Sequence, residues 1–240
     1  MVCLPVLVLP LVLLVFSGTT LAKNPKRGLA FAEGSNPSDI WTVNQTSSVL
    51  SWQYNWGCIP QSFLPTASMQ YIPMQWGLDG IGSFASTVRS KNAKIILGFN
   101  EPDLGFQSNL DPTQAARLWK QYIQPLAAAG VKLGAPAISS GPNGRLWLYG
   151  DGLDAFYNYL WQMHSQFPGY RLWVTEFAST SQDPAAVSHF MRQSIRYMDN
   201  LNWIEAYAWF GFFREQNGTH YSLLDANGHL NELGKVYVFS

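Results

Sequence analysis

Lys94-Ile95-Ile96-Leu97-Gly98-Phe99-Asn100-Glu101-Pro102 and Leu172-Trp173-Val174-Thr175-Glu176-Phe177 are two apolar, β-branched and aromatic runs, each closing on a glutamate. Runs of this kind, bounded by turn residues, read as strands buried on both faces. Five more stand at Arg27 to Ala32, Ser48 to Trp56, Gln70 to Trp76, Lys132 to Ile138 and Trp203 to Phe210. Helical periodicity separates several of them. Pro112 to Ala129 has Asp111 as N-cap, proline at the first position and Gly130 as C-cap; a second helical stretch runs from Asp154 to Phe167, and a third from Pro184 to Asn200, where Asp183 caps and proline again stands first. Strands alternating with helices predict α/β architecture with a parallel sheet. Seven or eight repeats, with no GxGxxG and no P-loop, favour a (β/α)8 TIM-type barrel over a doubly wound sheet.

The chain has 240 residues, 47% hydrophobic and 15% aromatic, so it can bury a full core. Charged residues make up only 12%, and 15 Lys and Arg balance 15 Asp and Glu. No basic field exists to neutralise phosphates, which argues against nucleic acid as a partner. Flat aromatic faces in surplus suit a neutral ligand such as a sugar.

Residues Val2 to Phe16 are almost wholly apolar and lead into Thr20-Leu21-Ala22, a small-x-small pattern followed by Lys23. This reads as a signal peptide over residues 1–22, leaving 23–240 as one domain. The run is shorter than the ~20 residues that span a bilayer, so no membrane contact is expected once it is removed. Cys3 leaves with the leader and Cys58 stands alone, which leaves no intramolecular disulfide. Asn44-Gln45-Thr46 and Asn217-Gly218-Thr219 are glycosylation acceptors.

The carboxyl end of a barrel strand is where such folds keep their chemistry, and Glu101 and Glu176 both stand there. A carboxyl pair suits glycoside hydrolysis, one protonating the leaving oxygen and the other attacking or activating water. Ordinary rim residues with ion-pair partners are the competing reading. Pro102 is expected to hold Glu101 extended, and Glu176 to share a strand face with Val174. Strict alternation puts Asn100 and Glu101 on opposite faces unless the strand flares at its end. His164 and His189 have no ligand partner at i+4, and His220 and His229 fall in a turn-rich tail. Neither metal nor cofactor is expected.

Seven stretches, in order, carry a resemblance that runs from Lys26 nearly to the C-terminus. They begin at Lys26 (LysArgGlyLeuAla), Ser51 (SerTrpGlnTyrAsnTrp), Tyr71 (TyrIleProMetGlnTrpGly), Gly98 (GlyPheAsnGluProAsp), Leu133 (LeuGlyAlaProAla), Trp173 (TrpValThrGluPheAla) and Ala206 (AlaTyrAlaTrpPheGly). The chain resembles the fungal alkali-sensitive-linkage-type hydrolases of glycoside hydrolase family 128, retaining endo-β-1,3-glucanases built on a (β/α)8 barrel. The resemblance implies Glu101 as acid/base, Glu176 as nucleophile and Asn100 on the sugar 2-hydroxyl. It also implies Trp56, Trp76, Tyr149 and Trp209 along glucose subsites, with core packing as the alternative for the tryptophans. The implied partner is β-glucan, met by a secreted monomer in the extracellular space or cell wall of a fungus.

The spacing departs from that pattern. Glu101 and Glu176 are 176 − 101 = 75 residues apart, whereas three strand-to-strand steps of ~30 residues need about 90. The sixth strand and its preceding helix are expected to be missing near Trp147, at the junction with Leu148, leaving the barrel incomplete. Three functions stay open at this point: the glucanase, a non-catalytic β-glucan-binding wall protein derived from one, and a barrel glycosidase cutting β-1,4 links.

Overall fold

Gly28 lies under the Trp52 indole so closely that a Cβ there would stand 2.1 Å from the ring. The contact exists because β1 (Arg27–Phe31) and β2 (Trp52–Tyr54) run parallel with Gly28 opposite Trp52. The computed structural model describes residues 22–32, 35–139 and 152–240. All seven expected strands form among these, most of them shorter than their apolar runs, while β7 runs two residues further: β3 (Gln70–Tyr71), β4 (Ile95–Ile96), β5 (Lys132–Leu133), β6 (Leu172–Phe177) and β7 (Ile204–Phe212) complete the set. The ladder order is β3-β2-β1-β7-β6, with β4 and β5 pairing separately. Residues just past β3 join the two groups: Met74 bridges Leu97, and Leu97 N–H donates to Pro73 O at 2.8 Å.

All of these pairings are parallel. The strands therefore trace an arc, β5-β4-β3-β2-β1-β7-β6, and among the described residues no ladder joins β5 to β6. This is the barrel with a gap that the 75-residue spacing anticipates. The junction at Trp147 and Leu148, Tyr149 and the leader up to Leu21 lie outside the described residues. At the amino-terminal end, Lys132 on β5 and Glu205 on β7 form an ion pair of 2.8 Å across the gap.

Helices α1 (Ile81–Ser90), α2 (Pro112–Leu118), α3 (Leu153–Gln166), α4 (Pro184–Asn200) and α5 (Glu232–Phe239) cover the outside. The expected helix from Pro112 to Ala129 is instead three pieces: α2, a π-helical turn over Trp119–Ile123 and a 3-10 turn over Gln124–Ala129. Pro125 is the cause, since it lacks an N–H and crowds the carbonyl four residues earlier. The Asp111 cap is as expected, its side chain accepting from the Thr113 and Gln114 amides.

Burial falls into two shells. Ala30, Trp52, Tyr54, Ile72, Met74, Leu97, Ala206 and Ala208 fill the interior, with Ile95, Trp56 and Trp173 against them. Val174, Phe177, Tyr207 and Trp209 point the other way and pack on Phe156, Val187, Phe190 and Tyr237 of the helices. A second outer cluster sets Ile96 and Phe99 against Phe84, Leu118 and Leu126. Residues at the strands' carboxyl ends thus open one mouth of the interior, where the glutamates lie. Gly28→Ala is expected to lower the melting temperature, at a cost of ~1–3 kcal/mol or more, because the new Cβ must displace the interior indole. Circular dichroism melting of the two proteins checks this.

Candidate active site

Within β6, and again from the end of β4 onward, outward-facing residues are three apart where a regular strand would place them two apart. Val174 and Phe177 both join the helix-side cluster, and the ladder with β7 shifts register between them. Ile96 and Phe99 both join the other helix-side cluster. One residue's worth of slack therefore sits just before each glutamate, as in a β-bulge. Glu176 does not share the face of Val174, as alternation alone suggests; the irregularity turns it to the Tyr54 and Trp56 side.

Trp56 Nε1 donates to Glu176 Oε1 at 2.8 Å, and the Tyr54 hydroxyl lies 3.4 Å from the same oxygen while donating to Thr175 O at 3.0 Å. Both groups come from β2 or the residues just past it, and their rings touch at 4.8 Å. Trp56 adopts a φ of +60°, so its indole is aimed by a left-handed backbone residue. Donors gathered on an acceptor-only group match the ionised form of a carboxylate.

Glu101 also departs from expectation. Its φ is +39°, left-handed and not extended, a conformation that costs a non-glycine residue on the order of 1–3 kcal/mol. Proline disfavours the right-handed helical region for the residue before it, and the sharp turn at the end of the ladder selects the left-handed alternative. The Glu101 N–H donates to Ala137 O at 2.8 Å, and Glu101 O accepts from Leu104 N at 3.1 Å. This kink does the work that a flared strand would do, freeing Asn100 and Glu101 from strict alternation. Asn100 is buried at 3% exposure; its Nδ2 donates to Gln107 at 3.2 Å, and its Oδ1 has no partner.

The Glu101 carboxyl is pushed up from 4.5 to about 7, first by burial, then by the charges of Glu176 and Asp103. The two glutamates therefore feel each other and differ in surroundings. One is half-buried and biased toward its protonated form, and the other accepts from the Trp56 indole with the Tyr54 hydroxyl beside it. That is the asymmetry required of a general acid beside a carboxylate partner.

The tryptophans separate. Trp56 belongs to the site. Trp76, 38% exposed, stands beside it, its carbonyl accepting from the Asn100 amide at 2.9 Å. Trp209 does not line the cleft. At 1% exposure it packs edge-on against Phe177 at 5.1 Å, with its Nε1 donating to Tyr221 O. Its neighbours Ala206 and Ala208 occupy the interior face, so alternation sends Tyr207 and Trp209 to the helices. The aromatic that β7 contributes is Phe210, edge-on to Trp56 at 6.1 Å. Beyond it opens a groove of about 880 Å³, walled by Asn36, Phe210, Phe213, Glu215, Gln216 and Tyr221. Among the described residues no three His, Cys, Asp or Glu side chains converge as a metal site.

The profile described as glycosyl hydrolase catalytic core matches residues 28–149 and 145–237, two stretches that meet where the strand-helix unit is expected to be missing. The chain belongs to this family, and within it to glycoside hydrolase family 128. Alkali-sensitive linkage protein 1 of Schizosaccharomyces pombe is 30% identical over 89% of this chain, which spans 44% of that relative's length. Among solved structures, an exo-β-1,3-glucanase from Aureobasidium namibiae superposes with a TM-score of 0.78 at 25% identity, covering 90% of this chain and 96% of that one. An endo-β-1,3-glucanase from Sorangium cellulosum gives 0.71 at 28%, covering 88% and 97%.

Sequence reasoning passed over Tyr54 and Phe210. Tyr54 stands two residues before Trp56, hence on the same strand face, and Phe210 was hidden behind the more conspicuous Trp209.

The raised Glu101 value has a stability signature independent of activity. Below 4.5 the folded and unfolded chains both hold this proton. Between 4.5 and about 7 only the folded chain does, so stability falls as pH rises through that window and stays lowered above it. Glu101→Gln is expected to melt with wild type at pH 4 and above it at pH 8. Equal melting temperatures at both pH values would contradict the raised value.

Proposed function

We propose that this chain is a retaining β-1,3-glucan hydrolase of the endo type, secreted to the extracellular space or cell wall after removal of residues 1–22. The observation that carries the reading is the unequal carboxyl pair: Glu101, held near a value of about 7, beside Glu176, which accepts from Trp56. Relatives described as β-1,3-glucanases support the substrate class.

In the first step the Glu176 carboxylate attacks the anomeric carbon while Glu101 gives its proton to the departing glycosidic oxygen, so the glycosidic bond breaks as the glycosyl-enzyme ester forms. In the second, the Glu101 carboxylate takes a proton from water, and the water oxygen displaces Glu176 at the same carbon. Configuration is retained and both glutamates return to their starting states. The partnerless Oδ1 of Asn100 would accept from the sugar 2-hydroxyl, and Trp56 and Trp76 would offer faces to glucose rings. Asn217, exposed, and Asn44, partly exposed, are the proposed glycan acceptors. The chain is proposed to act as a monomer without metal or cofactor.

A non-catalytic glucan-binding protein would keep the aromatic cleft without turnover, and laminarin separates the two readings. Wild type is expected to hydrolyse it, with kcat/KM falling above a pH of about 7 as Glu101 loses its proton. Glu176→Ala is expected to bind laminarin but not cleave it, and azide to restore an inverted glycosyl azide. Glu101→Ala with azide is expected to act on activated glycosides with retention. Near-normal rates in both variants would remove these residues from catalysis. Trp76→Ala is expected to weaken laminarin binding by ~1–3 kcal/mol with little response to salt, whereas Trp209→Ala is expected to act on stability. Calorimetric titration and thermal melting distinguish them.

A further inference from the structure

Two residues beyond Glu101, Asp103 is gripped by Ser139 at the far end of the neighbouring ladder. The Ser139 amide donates to Asp103 Oδ1 at 2.9 Å and its hydroxyl donates to Oδ2 at 2.5 Å. Ser139 is buried. Among the described residues no Lys, Arg or His pairs with Asp103, so neutral donors hold its negative charge. The Asp103 to Ser139 contact closes the turn that begins at the left-handed Glu101, whose own amide is tied to Ala137. We propose that Asp103 is a positioning residue working through Glu101: its grip on Ser139 fixes the left-handed turn, and its charge, held in the same loop by the neutral donors of Ser139, acts on the Glu101 carboxyl.

The charge at Asp103 reaches two neighbours in the same direction. Glu101 is raised by burial, Glu176 and Asp103, and Tyr159 of α3 is raised by burial and Asp103. Among the described residues, the titratable groups acting on Glu101 are thus Glu176 from β6 and Asp103 from its own loop, and Asp103 also acts on Tyr159 of α3. A cation in place of any of these would pull the Glu101 proton off. A salt-bridged aspartate would fix the turn equally well but contribute little charge, so neutral donors serve both purposes at once.

This inference rests on Glu101 as the acid/base, and the test separates the two. In the intact chain, carbon-13 NMR of the glutamate carboxyls, assigned with Glu101→Gln, follows the Glu101 titration directly. Asp103→Asn keeps an acceptor for the Ser139 amide but drops the charge. It is expected to lower the Glu101 midpoint by roughly half to one pH unit, and to move the alkaline limb of laminarin hydrolysis down by the same amount. Asp103→Glu, which keeps the charge, is expected to hold the midpoint near wild type. Asp103→Ala, which loses the grip as well, is expected to lower kcat more than it raises KM. A Glu101 midpoint unchanged in Asp103→Asn would overturn the proposal. Absence of laminarin hydrolysis in wild type would count against the glucanase reading alone, since the NMR comparison still decides the role of Asp103. Should Asp103→Asn not fold, Asp103→Ser carries the same comparison.

Discussion

A strand lying between a filled barrel interior and a helix layer must send successive side chains to opposite sides. By that rule β6, with Trp173 inside, would next place Thr175 inside and Glu176 against the helices, where an ionised carboxylate has no business among Phe156, Val187 and Phe190. The shift between Val174 and Phe177 removes this conflict, and the equivalent slack between Ile96 and Phe99 prepares the turn at Glu101. Everything at the site follows from these two interruptions. Trp56 can reach Glu176 because the carboxylate is on its side, and Glu101 can feel Glu176 because both have left the strand pattern. The cost is local: a left-handed glutamate, a left-handed tryptophan and ladders that thin to single bridges near the mouth.

The architecture was legible because it rests on composition and period, which are properties of runs. Seven apolar runs became seven strands, and the caps at Asp111 and Asp183 start helices where they were expected. What was not legible depends on single residues departing from their run. Pro125 breaks the helix that its neighbours favour. Glu101 abandons the extended backbone that Pro102 alone would suggest. Trp209 looked like a ligand platform by residue type, yet Ala206 and Ala208 take the inward positions of β7 and alternation sends Trp209 outward, the small inward residues leaving room that Trp52, Tyr54 and Trp173 fill from other strands. Residue type identified the chemistry, and the pattern around each residue decided which side of the wall it occupied.

The charge economy of the chain is visible at the same place. The two buried charged residues, Arg27 and Asp39, are ion-paired with Asp199 and Arg214, but the part-buried carboxylates at the mouth meet neutral donors: Asp103 accepts from Ser139 and Glu176 from Trp56. Such partners leave the negative charges intact. Three acidic side chains then share the mouth, and the Glu101 value is raised first by its own burial and then by the charges of Glu176 and Asp103.

The gap between β5 and β6 gives this arrangement a mechanical character. Glu101 hangs from the β4–β5 end of the arc and Glu176 from β6 at the other end. Around the wall, their separation is therefore the sum of the small rotations at every intervening strand pair. Across the interior, Trp56 and Tyr54 brace Glu176 from β2. Among the described residues, the two glutamates stand at opposite ends of the arc. A sugar chain gripping both carboxyls would span the two tips like the string of a bow, and the curvature of the whole wall would be drawn in with it.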